Sequence, residues 1–313
     1  MPKVVISEFM DEAAIAADLA GFDTLYDPGL VDRPDALAAV LGDADALIVR
    51  NRTQVRGPLL AAAARLRVVG RLGVGLDNID VPVCEARGIA VYPATGANDG
   101  AVAEYVVATA MLLLRGAYGA SAAVASGAWP RNALMGREIA GKRLGLVGFG
   151  SIARETARRA AALGMALAAH DPFVADADPA WTPAYGPVQR RDLATLIAES
   201  DVLSLHVPLT AETRGLIDAA ALARMPAGAV LINAARGGVV DAAAVAAALR
   251  SGHLGGAALD VFDREPLDAA AGAALAGVPN LILTPHIAGV TQESNVRVSA
   301  VIAAAVRRHL TQG

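Results

Sequence analysis

The stretch that decides the fold is "RLGLVGFGSIARETARRAAALG", residues 143–164. The segment RLGLV reads as a strand and runs straight into a G-x-G-x-x-A pattern at Gly148, Gly150 and Ala153. An alanine-rich helical stretch follows and closes at Gly164. Glycines at such a turn let the backbone come close to a phosphate. The helix start supplies N–H groups with no intrahelical partner and the positive end of the helix dipole, and a small third residue lets helix and strand pack closely. Gly148, Phe149, Gly150, Ser151, Ile152 and Ala153 are therefore candidate contacts for a dinucleotide pyrophosphate. Asp171 ends the next apolar run, "MALAAHD". An acid there hydrogen-bonds the adenosine ribose hydroxyls and repels a 2′-phosphate, and no arginine follows before Arg190, so the pattern favours NAD over NADP.

A second glycine-rich stretch lies upstream, "GRLGVGLDNID" at 70–80, after the apolar run "LRVV". It fails the same test, because Asn78 stands where the third small residue belongs and no helix begins at the turn. It reads as a flat loop that presents backbone N–H groups to a small anion.

Around these two stretches, short β-branched runs ("KVVIS", "DALIVR", "LRVVG") alternate with alanine-rich segments, and the rhythm restarts at residue 143. That alternation predicts an α/β protein with two Rossmann-like domains, each a doubly wound parallel sheet. The restart places a nucleotide-binding domain, residues 98–284, inside a split substrate domain made of residues 1–97 and 285–313.

The 313 residues suffice for two domains with a core each, and a formal net charge of −4 gives no sign of a nucleic-acid partner. Hydrophobic residues reach 55% with only 4% aromatic, the excess being mostly alanine. A single cysteine, Cys84, forms no intrachain disulfide and fits a reducing compartment. "MPKVVISEFMDEAA" reads as a first strand rather than a signal peptide. The apolar run 101–120 carries Glu104 and Arg115 and reads as a buried helix rather than a membrane span. The expectation is a cytoplasmic protein that meets neither membrane nor nucleic acid.

Three residues sit at predicted strand ends, where open α/β sheets gather their ligands: Arg236 after "VLINAA", Glu265 in "DVFDREPL" and His286 in "TPHIAG". Each alone could be a loop charge, a surface acid or a turn histidine. Together they are a chemical set for moving a hydride to or from a 2-oxo acid. An arginine fork grips the carboxylate and polarises the carbonyl, a histidine hands a proton to the forming alkoxide, and a carboxylate orients the imidazole and raises its pKa.

These stretches, with "LHVPLTAETRGLID", "INAARGGVVD" and "ALDVFDREPL", resemble the D-isomer-specific 2-hydroxyacid dehydrogenase family over essentially the whole length. The resemblance implies that Arg236, Glu265 and His286 are the catalytic trio. It implies that Val74 and Gly75 offer N–H groups to the substrate carboxylate, and that NAD is also contacted by His206, Pro208, Thr213, Ala234, Arg236, Asp260, His286 and Gly289. It further implies a homodimer built through the nucleotide domain, including the segment near 118–141.

Arginines are unusually placed: Arg50 and Arg52 in "IVRNRTQV", Arg71, and Arg131 in "AWPRNAL". Arg52 reads equally as a loop charge. Arg50, Arg71 and Arg131 fall where phosphoglycerate dehydrogenases, within the resembling family, place arginines near the substrate phosphate, Arg131 coming from the partner subunit. Asn98 falls where the family often contacts substrate. Several arginines around one small acid imply a second anion on it, as in 3-phosphoglycerate or 3-sulfolactate. The chain ends at Gly313 without the regulatory domain that many phosphoglycerate dehydrogenases append, which favours the sulfolactate type. For that compound sulfur reverses the naming priorities, so the family's usual face of attack carries the label S. The rival readings are a glyoxylate or hydroxypyruvate reductase, which needs no second anion site, and an NAD(H)-sensing corepressor-like scaffold.

Overall fold

The structure is a computed structural model that describes residues 1–312. The chain divides into two compact units, Met1–Asn98 with Val290–Gly313, and Asp99–Gly289.

The first unit holds five parallel strands, β1 (Lys3–Ile6), β2 (Asp23–Tyr26), β3 (Ala46–Val49), β4 (Val68–Arg71) and β5 (Ala90–Pro93), in the order β2-β1-β3-β4-β5. Both faces are covered, and the strands show it by splitting their side chains between two clusters. Ala46 and Ile48 of β3 enter one, Leu47 and Val49 the other. The last helix, Gln292–Gln312, returns to this unit with Ser294, Val298, Ile302, Val306 and Leu310 buried at a four-residue spacing, against Val68 and Leu72.

The second unit holds β6 (Arg143–Val147), β7 (Ala166–His170), β8 (Gln189–Arg190), β9 (Val202–Leu205), β10 (Ala229–Asn233), β11 (Leu254–Leu259) and β12 (Leu281–Leu283), all parallel in the order β12-β11-β10-β9-β6-β7-β8. Val230 and Ile232 of β10 pack on one face, Ala229 and Leu231 on the other.

In each unit the strand order reverses once, between β1 and β3 in the first and between β6 and β9 in the second. Open α/β sheets bind ligands beyond the carboxyl ends of the strands at such a point. Glu8 and Arg50 follow β1 and β3; Gly148 and His206 follow β6 and β9.

The unit boundaries fall at 98/99 and 289/290, later than the expected 97/98 and 284/285. The second shift has a clear cause. The backbone N–H of His286 donates to the Asp260 carbonyl at 2.8 Å, and those of Ile287 and Ala288 donate to the Asp260 carboxylate at 2.8 and 2.9 Å. The segment 285–289 is thus tied to the end of β11. Among the described residues no single helix is long and apolar enough to cross a membrane.

Candidate active site

At the β6–β9 reversal, Gly148 has φ +86°, and a Cβ there would lie 2.6 Å from the His206 carbonyl oxygen, so the turn accepts no side chain. Gly150, by contrast, has nothing within 4 Å of its Cβ position. It starts the helix Ser151–Ala162, which has no side-chain cap and no acid in its first turn. Open space, uncapped N–H groups and an uncompensated dipole together fit a dinucleotide pyrophosphate. Ala153 is fully buried beneath the loop, as close helix–strand packing requires.

The Phe149 ring turns away from the loop's open space, fully buried and stacked on Trp181 at 4.9 Å. Its N–H donates to Asp171 Oδ2 at 2.7 Å, and Asp171 Oδ1 accepts from the Phe173 N–H at 2.8 Å. The acid expected at the ribose is thereby fixed beside the glycine loop, with lone pairs to spare. His206 Nε2 lies 2.9 Å from Ser204 Oγ, and burial pushes its pKa down to about 4, so it is neutral at pH 7. Pro208 and Thr213 share one turn, closed by the Thr213 hydroxyl donating to the Pro208 carbonyl at 2.6 Å. Ala234 and Gly289, both half-buried, lie just beyond β10 and after the His286 loop.

The trio assembles at the ends of β10, β11 and β12. His286 Nδ1 lies 2.7 Å from Glu265 Oε2, and Glu265 Oε1 accepts the Phe262 N–H at 3.0 Å. Burial pushes the Glu265 pKa up, but the His286 hydrogen bond, the Phe262 N–H and the charges of His286 and Arg236 outweigh it, and the net shift is downward. Glu265 is therefore a carboxylate that can only accept, which makes Nδ1 the donor and leaves Nε2 for a reacting oxygen. The Glu265–Pro266 peptide bond is cis.

Arg236 follows buried Asn233, whose Nδ2 donates to the Arg236 carbonyl at 2.8 Å and whose Oδ1 accepts the Ala235 N–H at 3.1 Å. A Cβ on Gly237 would come within 2.0 Å of the Phe262 carbonyl carbon. Only glycine lets the turn after β10 meet the loop after β11, and that meeting brings Arg236 to Glu265.

His286 adopts φ +52°, a left-handed backbone that is unusual for a residue with a side chain. Asp260, 1% exposed, holds it there. Besides its bonds to the 286–288 backbone, Asp260 Oδ1 accepts the Thr284 hydroxyl at 2.6 Å. The resemblance implies Asp260 as a cofactor contact, and the structure gives its carboxylate the work of shaping the histidine loop.

In the first unit, Val74 and Gly75 are half-buried and their N–H groups donate no hydrogen bond among the described residues, as a flat anion-binding loop requires. The next helix begins only at Val81 and is capped by Asp80. Arg71 is half-buried, its Nη1 donating to the Leu72 carbonyl at 3.0 Å. Asn98 Oδ1 is buried without a partner. Arg131 lies in the second unit on an exposed segment that also carries Tyr118, Trp129 and Met135, 65%, 74% and 81% exposed.

Arg50 and Arg52 part company. Arg52 is exposed and ion-paired with Asp32, which settles it as a surface charge. Arg50 is half-buried beside Phe9, its guanidinium carbon 5.9 Å from the ring centroid.

Two residues to which the sequence motifs assign no role hold this edge together. Glu8, 5% exposed, accepts the N–H groups of Arg50 and Thr53 on Oε1 at 2.9 and 3.0 Å and that of Arg52 on Oε2 at 3.2 Å. Asn78, also 5% exposed, donates Nδ2 to the carbonyls of Arg50 and Thr53 at 3.0 and 2.7 Å. The loop 50–53 is thus gripped by its N–H groups from β1 and by its carbonyls from the loop after β4. Bonds to a carboxylate contribute about 1.5–3 kcal/mol each, enough to offset burying the charge. The only hint in the sequence is an acid directly after the apolar strand "KVVIS".

Comparison with known proteins places this geometry. Residues 107–288 match the family model described as D-isomer specific 2-hydroxyacid dehydrogenase, NAD binding domain. The (S)-sulfolactate dehydrogenase of Chromohalobacter salexigens is 55% identical over 311 residues, covering 99% of each chain. The D-3-phosphoglycerate dehydrogenase of Mycobacterium leprae is 39% identical over 309 residues, 98% of this chain but 56% of that longer one. Among solved structures, the TT0316 protein from Thermus thermophilus superposes with a TM-score of 0.88 at 32% identity, covering 99% of this chain and 97% of that one. The chain belongs to the D-isomer-specific 2-hydroxyacid dehydrogenase family and is an NAD-dependent oxidoreductase acting on 2-hydroxy acids.

Proposed function

We propose that the substrate carries a second anion, and that the enzyme interconverts (S)-3-sulfolactate and 3-sulfopyruvate. One observation carries this reading: the first unit offers an anion two separate grips. The N–H groups of Val74 and Gly75 suit a carboxylate, while Arg50, at the strand-order reversal, has no carboxylate within ion-pair distance among the described residues and suits a sulfonate. The (S)-sulfolactate dehydrogenase relative supports the choice of sulfonate over phosphate. Arg71, Arg131 and Asn98 complete the proposed substrate contacts, the orphaned Asn98 oxygen being an acceptor for a hydroxyl.

In this reading the 148–153 loop and Asp171 would hold the dinucleotide, which when bound would accept a hydride from the substrate's second carbon as NAD⁺ or return it as NADH. Arg236 holds the carboxylate and polarises the carbonyl. His286 Nε2 gives its proton to the alkoxide oxygen in reduction and removes it in oxidation, while Glu265 keeps Nδ1–H in place. The exposed apolar side chains of Tyr118, Trp129 and Met135 support a homodimer formed through that segment. The lone, buried cysteine supports a reducing, cytoplasmic setting.

The test is NADH oxidation, followed by nicotinamide absorbance, with 3-sulfopyruvate, 3-phosphohydroxypyruvate, hydroxypyruvate and glyoxylate in parallel. Preference for 3-sulfopyruvate is the expected result. Equal or better turnover of hydroxypyruvate or glyoxylate overturns the second-anion reading.

A further inference from the structure

Arg50 is aimed by neutral groups. Its Nη1 donates to Asn295 Oδ1 at 2.8 Å and to the Phe9 carbonyl at 3.3 Å. Glu8 is the acid beside it, yet both Glu8 oxygens face backbone N–H groups of the 50–53 loop and neither reaches the guanidinium. Arg52, two residues on, is neutralised by Asp32. Among the described residues the half-buried guanidinium hydrogen-bonds only to an amide and a carbonyl. The Glu8 charge favours its protonated form through space but makes no ion pair with it. The remaining N–H groups of Arg50 are left for another anion, and partial desolvation strengthens that attraction.

Asn295 is itself firmly placed. It lies in the first turn of Gln292–Gln312, where the Thr291 N–H donates to Ser294 Oγ at 2.8 Å and the Ser294 N–H to Thr291 Oγ1 at 3.0 Å, a reciprocal cap. Buried Ser294 and Val298 flank it and pin the turn.

We propose that Asn295 is a specificity-determining positioning residue: its neutral amide oxygen orients Arg50 without neutralising it, so that the cation selects substrates with a second anion. The inference rests on the second-anion reading above.

The test is Asn295→Asp, nearly isosteric, in which a carboxylate replaces the amide oxygen at Arg50. The new charge sits in a helix first turn, where it suits the dipole, so the fold is retained. Losing a charge-assisted contact amounts to roughly ten- to a hundredfold. The expected result is a fall of that size in the ratio of kcat/KM on 3-sulfopyruvate to that on glyoxylate, carried by the KM for 3-sulfopyruvate. Asn295→Gln, which restores a neutral acceptor, should recover much of the ratio. A ratio unchanged in Asn295→Asp, or an equal loss on both substrates, overturns the role of Asn295 while leaving the second-anion reading intact. A wild-type enzyme with no preference for 3-sulfopyruvate overturns both.

Discussion

The loops at 72–78 and 148–153 are spelled alike, G-x-G after a buried parallel strand, and they make opposite use of it. The second turns directly into a helix whose first N–H groups are uncapped, so an anion meets a whole dipole. The first runs flat through Val74 and Gly75, and its helix begins at Val81 under the carboxylate of Asp80. The geometry of one fits a diphosphate at a helix end, and that of the other fits a single small anion at consecutive amides. The glycines are common to both loops; the residues downstream of them separate the two.

The largest effect tests the proposed catalytic trio. His286→Ala should lower kcat by roughly 10²–10⁴-fold with the NADH dissociation constant little changed in a fluorescence titration, and unchanged turnover removes histidine from its role. Gly148→Ala is next in size. A strained backbone costs about 1–3 kcal/mol and the new methyl meets the His206 carbonyl, so NADH affinity should fall at least about tenfold. At saturating NADH the KM for the oxo acid should stay put, and a parallel rise would mean the two loops do not divide the labour.

The reciprocal variant is Glu8→Gln. It sets an amide donor against a backbone N–H and should lower stability in urea by about 1–3 kcal/mol. It should also raise the KM for the oxo acid while leaving NADH binding alone. Loss of NADH affinity with an unaltered KM would contradict the assignment.

The smallest effect is acid sensitivity beneath the dinucleotide loop. His206 titrates near 4 in the fold against 6.5 for an ordinary histidine, because burial disfavours its charged form. The unfolded chain therefore takes up this proton first. The contribution to stability is complete above pH 6.5 and is lost as pH falls from 6.5 toward 4. His206→Gln should flatten the melting temperature over that window, and an identical slope in the variant would show that other groups set it.

Legibility in the sequence tracks the range of the interactions. The strand–glycine–helix unit at 143–164 is local, and so are the trio's positions at strand ends; all are readable from spacing. The edge strands β2 and β8 are not, since Asp23–Tyr26 and Gln189–Arg190 are short and neither is fully buried. The contacts of Glu8, Asn78 and Asn295 escape notice for another reason. Their targets lie 42 to 45, 25 to 28 and 245 residues away, and they bond to irregular backbone or to one side chain. No period marks such a contact. Arg50 and Arg52 show the limit most simply: the resemblance singles out Arg50 and leaves Arg52 open, and only the fold shows that Arg52 is neutralised by Asp32.

The double grip on residues 50–53 bears on how this enzyme could change its diet. Glu8 and Asn78 hold that loop by its main chain, so its shape does not depend on which side chains it displays. On the proposed reading, Arg50 is therefore the side chain whose exchange should change the preferred acid at little cost in folding, because the main chain that carries it is held by other residues.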